Sequence, residues 1–178
     1  MTYFRMSRLI DPNGAGLYAV SHFMTEFKTG HRFDADFVPP LVVQLDPELP
    51  NGKLPTFFES PAWIGTRSFH ATLLAAGVAN VEASPVEMHD DVNNRVIHDY
   101  LLLNIVGRVA CVDMARSEIR SLGDGMNIID RLVIDPARVP DLDLFVADED
   151  TDCMIVSERL QRHIAAAGYG DIRFESLD

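Results

Sequence analysis

The chain has 178 residues, 47% hydrophobic and 24% charged, which suits a packed globular core and excludes a disordered one. No apolar run nears the ~20 residues of a membrane-spanning helix, and Met1-Thr-Tyr-Phe-Arg-Met-Ser-Arg8 lacks the apolar core of a signal peptide, so a cytoplasmic protein is expected. The net charge of −12, with nine acids and six bases in residues 1–89 against eighteen and nine in 90–178, argues against nucleic acid and anionic membranes as partners.

The N-terminal third is broken into short pieces by Pro39-Pro40, Pro47, Pro50, Pro55 and Pro61. Leu17–Phe23, Leu41–Leu45 and Thr56–Phe58 are its strand candidates, and residues 1–59 read as a loop-rich flank on a core spanning 60–178. One domain of 1–178 is expected.

A short unit then appears that returns later in the chain. Ile64-Gly-Thr-Arg-Ser-Phe-His-Ala-Thr-Leu-Leu-Ala-Ala-Gly-Val-Ala-Asn-Val81 is echoed, 91 residues on, by Ile155-Val-Ser-Glu-Arg-Leu-Gln-Arg-His-Ile-Ala-Ala-Ala-Gly-Tyr-Gly-Asp-Ile172. Thr66 and Ser157 stand where an N-cap hydroxyl accepts from a free backbone N–H. Phe69, Leu73 and Ala76, like Leu160, Ile164 and Ala167, recur at helical spacing, and Gly77 and Gly168 fit a left-handed C-terminal stop. Two capped helices, about 66–76 and 157–167, are predicted, each leading to a strand (Val81–Met88 and Ile172–Phe174).

After the first copy, Asp90-Asp-Val-Asn-Asn-Arg95 is turn chemistry, with Asn suited to positive φ. His89 and His98 flank it, but a metal needs three or four converging ligands, and a polar hairpin tip is the simpler reading. The aliphatic runs within Val96–Val112 predict strands buried on both faces, divided at Gly107. Cys111 and Cys153 lie among apolar neighbours and read as buried thiols.

Asp113 opens Asp113-Met-Ala-Arg-Ser-Glu118, where its carboxylate caps a turn or helix; a catalytic pairing of Asp113 with Glu118 is the alternative. Leu122-Gly-Asp-Gly-Met-Asn127 lacks the Lys-Ser/Thr of a phosphate loop and reads as a turn. Asn127–Ile134 and Leu142–Val146 are further strand candidates. Between the last of these and the second helix, Asp141, Asp143, Asp148, Glu149, Asp150 and Asp152 put six acids in twelve residues without a base. Val146 occupies the turn-glycine position of a calcium loop and Asp152 the place of its closing Glu, which excludes that reading. A solvated acidic loop remains, or a docking patch for a basic partner built on Asp143, Asp148, Glu149, Asp150 and Asp152.

The stretch Tyr100-Leu-Leu-Leu-Asn-Ile-Val-Gly-Arg-Val-Ala-Cys-Val-Asp113, with Ser117-Glu118, Ile129-Asp-Arg-Leu-Val-Ile-Asp135, Asp143-Leu-Phe145 and Ile155-Val-Ser-Glu-Arg-Leu160, resembles immunity family eleven of bacterial polymorphic toxin systems. Ala75-Ala-Gly-Val-Ala-Asn-Val-Glu82 and Pro85-Val86 extend the resemblance. It implies an α+β cytoplasmic protein that binds and neutralises a cognate toxin, with no catalytic residue, cofactor or metal. The fold expected is a mixed or antiparallel sheet carrying the two capped helices. The alternatives are a small hydrolase-like immunity enzyme using Asp113 and Glu118, and an adaptor that binds the toxin without inhibiting it.

Overall fold

The computed structural model describes residues 2–9, 11, 14–20, 27–33, 36–48, 52–123 and 126–177. Their strands are β1 (Tyr3–Arg8), β2 (Leu17–Val20), β3 (Leu41–Leu45), β4 (Phe57–Phe58), β5 (Ile64–Thr66), β6 (Val81–Asp90) and β7 (Arg95–Ile97), then β8 (Tyr100–Ile105), β9 (Arg108–Val109), β10 (Glu118–Gly123), β11 (Met126–Arg131), β12 (Leu144–Ala147), β13 (Met154–Ser157) and β14 (Ile172–Ser176). The helices are α1 (Arg67–Ala75) and α2 (Glu158–Ala166).

The two helical units fold as their sequences predict. Thr66 Oγ1 accepts from Phe69 N at 3.2 Å and Ser157 Oγ from Leu160 N at 3.2 Å. Gly77 (φ +85°) and Gly168 (φ +81°) end the helices in the left-handed region, where a Cβ would strain the backbone. The two copies belong to different sheets: α1 follows β5 of one, and α2 follows β13 of the other.

That division corrects the expected fold. The described chain is predominantly β, in three sheets rather than one: seven strands (β2-β3-β6-β8-β5-β4, with β7 beside β6), five strands (β14-β1-β13-β12-β9) and the hairpin β10-β11. Parallel pairs β3–β6 and β9–β12 make the two larger sheets mixed. A run buried on both faces looks the same whichever sheet it joins, so one-dimensional pattern cannot apportion strands between sheets.

The loop-rich N-terminal flank is corrected too. β1 lies inside the five-stranded sheet, between β13 and β14, and β2, β3 and β4 belong to the seven-stranded one. Residues 21–23 of the Leu17–Phe23 candidate, with His22 and Pro50, lie outside the described residues, as do Asp124 and Gly125 of the Gly-x-Gly turn.

Alternation along the central strands builds the core. Leu101, Leu103 and Ile105 of β8 join Leu144 and Val146 of β12, Met154 and Val156 of β13, and the buried helix residues Phe69, Leu73, Leu160 and Ile164 in one cluster shared by both large sheets. Tyr100 and Leu102 point the other way, toward Leu41, Val43, Val86 and Met88. Phe145 and Ile155 face a third cluster with Cys111, Val112 and Cys153. Both cysteines are free and buried.

Candidate functional site

The acidic stretch folds around strand β12 and the loop that joins it to β13. Asp143 precedes the strand, while Asp148, Glu149, Asp150 and Asp152 follow it. Four residues of extended chain, about 13 Å, separate the two positions. The structure therefore gathers four of the five predicted docking acids in one loop and sets Asp143 at the other end of β12.

Asp143 is committed to the scaffold. Its carboxylate accepts from Ser157 Oγ and from Arg159 Nε and Nη2, and Arg159 Nη1 donates to Ala76 O at 2.8 Å. The Arg159 guanidinium holds the Asp143 carboxyl below the usual carboxylate range. One arginine of the second helical unit thus clamps the acid before β12 to the C-terminus of α1.

The loop acids are individually anchored yet open to solvent. Asp150 Oδ1 accepts from Asp152 N at 3.2 Å and its carbonyl from Cys153 N at 2.9 Å, which shapes the turn. Glu149 Oε1 accepts from Val112 N at 3.2 Å. Asp148 pairs with Arg108, while Asp152 Oδ1 lies 2.7 Å from Lys28 Nζ, itself 5.4 Å above the Trp63 ring. The Asp148 and Asp152 side chains remain 45% and 72% exposed. Four carboxylates against two cations leave the loop negative.

The alternative pair is built differently. Asp113 Oδ1 accepts from Ala115 N at 3.1 Å and Arg116 N at 3.3 Å, and its carbonyl from Ser117 N at 2.9 Å, so the carboxylate caps its own turn. Glu118 lies on β10 with Oε1 3.9 Å from Arg131 Nη1 of β11. The turn after β6 also serves structure: buried Asp90 accepts from Asn93 N and Nδ2 and from Arg95 Nε, and Asn94 takes φ +49°. His89 pairs across the strands with Val96, not His98. Among the described residues no three His, Cys, Asp or Glu side chains converge as metal ligands. No helix there is long and apolar enough to cross a membrane.

Sequence reasoning missed Val92 and Val96. Both lie within or beside the turn read as a polar tip, and both are exposed. The available signal was their apolar character among Asp90, Asp91 and Asp99.

No curated protein matches the chain closely enough to supply a relative. A family model described as an immunity protein family matches residues 30–178, spanning both helical units, the buried strands and the acidic loop. The chain belongs to this family, Imm11.

Proposed function

We propose that the protein acts in the bacterial cytoplasm by binding a cognate toxin one-to-one and covering its active or an essential surface. Membership of the immunity family carries this reading. The net charge of −12 supports a basic partner, because complementary fields raise the encounter rate. We assign the steering role to Asp148, Glu149, Asp150 and Asp152, with Asp143 holding the base of β12 in place. Inhibition follows from occupancy and slow dissociation, without chemistry on the toxin.

The test is co-expression with the product of the neighbouring gene, tested as the toxin, followed by purification of the pair. Protection together with a one-to-one complex is expected. A toxin that kills equally well with or without the protein overturns the reading. Binding that leaves toxin activity intact identifies an adaptor, and full protection by Asp113→Asn at an unchanged fold removes the enzyme alternative.

A further inference from the structure

The sheet end formed by β3, β6 and β7 has the makings of a second contact. β6 pairs with β8 only from Val81 to Pro85, then runs on to Asp90 against β3 and β7. On the far side β5 has already given way to α1 at Arg67, so β7 pairs with β6 alone among the described strands. Val92 in the turn is 55% exposed and Val96 in β7 43%.

These valines are held in place. The buried Asp90 carboxylate ties the turn through Asn93 and Arg95, the latter at 2.8 Å, so little conformational freedom remains to be lost on binding. Around them stand carboxylates. Asp91 and Asp46 border a cleft of about 150 Å³ that Val92 and Gln44 also line, and Glu87 of β6 lies 3.9 Å from His89, the cross-strand partner of Val96. The cation of the hairpin, Arg95, is already engaged by Asp90. An apolar centre in a charged rim is the arrangement of an interface anchor.

We propose that this hairpin end anchors the toxin, and that its occupant is a basic protein face which lays an apolar group on Val92 and Val96 and a Lys or Arg into the Asp46–Asp91 cleft. The inference rests on the immunity reading above and names the contact that sets residence time, as distinct from the loop that steers approach. A second copy of this chain is disfavoured, because a β7-to-β7 contact would bring together two surfaces of the same negative sign, each with Asp91 and Asp99 flanking the hairpin. Phosphate-bearing partners meet the same repulsion.

The test is binding kinetics with the purified product of the neighbouring gene, once co-expression has shown that it is toxic and that the protein neutralises it. Val92→Ser/Val96→Thr keeps β-branching in the edge strand and removes apolar surface. It is expected to raise the dissociation rate about 10- to 100-fold at an unchanged melting temperature. Asp46→Asn/Asp91→Asn is expected to slow association at low salt and to lose that effect at high salt. Amide exchange at residues 95–97 is expected to slow in the complex.

Wild-type binding that both double variants reproduce within about twofold, far less than a tenfold affinity step, overturns the hairpin anchor and leaves the immunity reading intact. A wild-type protein that neither binds nor protects removes the immunity reading and the anchor with it. A homodimer dissolved by Val92→Ser/Val96→Thr assigns the surface to a second copy and overturns the proposal.

Discussion

Thr72 Oγ1 and the Tyr169 hydroxyl lie 2.8 Å apart, joining the helix of the first unit to the exit of the second. The Tyr169 ring meets Phe69 edge-on at 5.6 Å, so one residue just past the second glycine stop packs on the first helix in two ways. The contact is part of how units in different sheets come to share a core. Tyr169→Phe keeps the ring and is expected to cost about 0.5–1.5 kcal/mol of unfolding free energy. Tyr169→Ala loses ring packing as well and is expected to cost more, about 2–3 kcal/mol for this partly buried side chain. Urea unfolding of both variants checks the order.

The glycine stops make a matched pair of controls. A Cβ at Gly77 or Gly168 would meet nothing within 4 Å, so substitution there is opposed by φ alone. Alanine at either is expected to cost about 1–2 kcal/mol, similar in the two copies. At Gly65 the same atom would fall 2.7 Å from Leu103 Cδ1, inside the core. Gly65→Ala is therefore expected to exceed both, and equal losses at all three positions would contradict the assignment.

These units were legible because their signals are local: a hydroxyl cap, a 3.6-residue stripe and a glycine within one short window. β1 was not, since its partners β13 and β14 lie at the other end of the chain and its arginines interrupt any strand alternation. β10 was missed for a similar reason, as Glu118-Ile-Arg-Ser-Leu-Gly123 has only Ile119 and Leu122 as large apolar residues and gains its strand character from β11. At the acidic loop the carboxylates could be grouped by sequence. Their counter-ions could not, because Lys28 lies 124 residues from Asp152 and Arg108 lies 40 from Asp148.

The buried thiols carry a pH signature. Burial pushes both Cys111 and Cys153 up to about 12 from an ordinary value of 9.0. Above pH 9 the unfolded chain loses these protons while the folded one keeps them, so the unfolded state binds fewer and is favoured as pH rises. Stability is expected to fall between about pH 9 and 12, with the fall reduced in Cys111→Ala/Cys153→Ala. Native protein is expected to resist thiol reagents near neutral pH and to react at both positions in denaturant.

Asp143 has the opposite sign. Its folded carboxyl is depressed by Arg159, so its contribution is complete above the unfolded value of 3.8 and is lost as pH falls through the folded one. Asp143→Asn is expected to cost about 1–2 kcal/mol at neutral pH, because the charge-assisted bonds to Arg159 weaken while an acceptor for Ser157 remains. The difference from wild type is expected to narrow below about pH 4. Stability profiles of the two proteins across the acid range settle it. A gap that stays constant there would remove the ion pair as its cause.

The loop acids are expected to act on the rate of toxin association rather than on the complex once formed. Asp152 is the cleanest probe, being 72% exposed, although its pair with Lys28 gives it a small share in the fold. An exposed pair contributes about 0–1 kcal/mol, so Asp152→Asn is expected to leave the protein folded. Glu149→Gln keeps an acceptor for Val112 N while removing a second charge. The double variant is expected to associate more slowly at low ionic strength and to converge with wild type at high, since salt screens the field these charges create. Dissociation is expected to stay near the wild-type rate, because exposed rim charges are solvated on both sides of the transition. A faster dissociation at unchanged association would move these acids from the approach path into the contact itself.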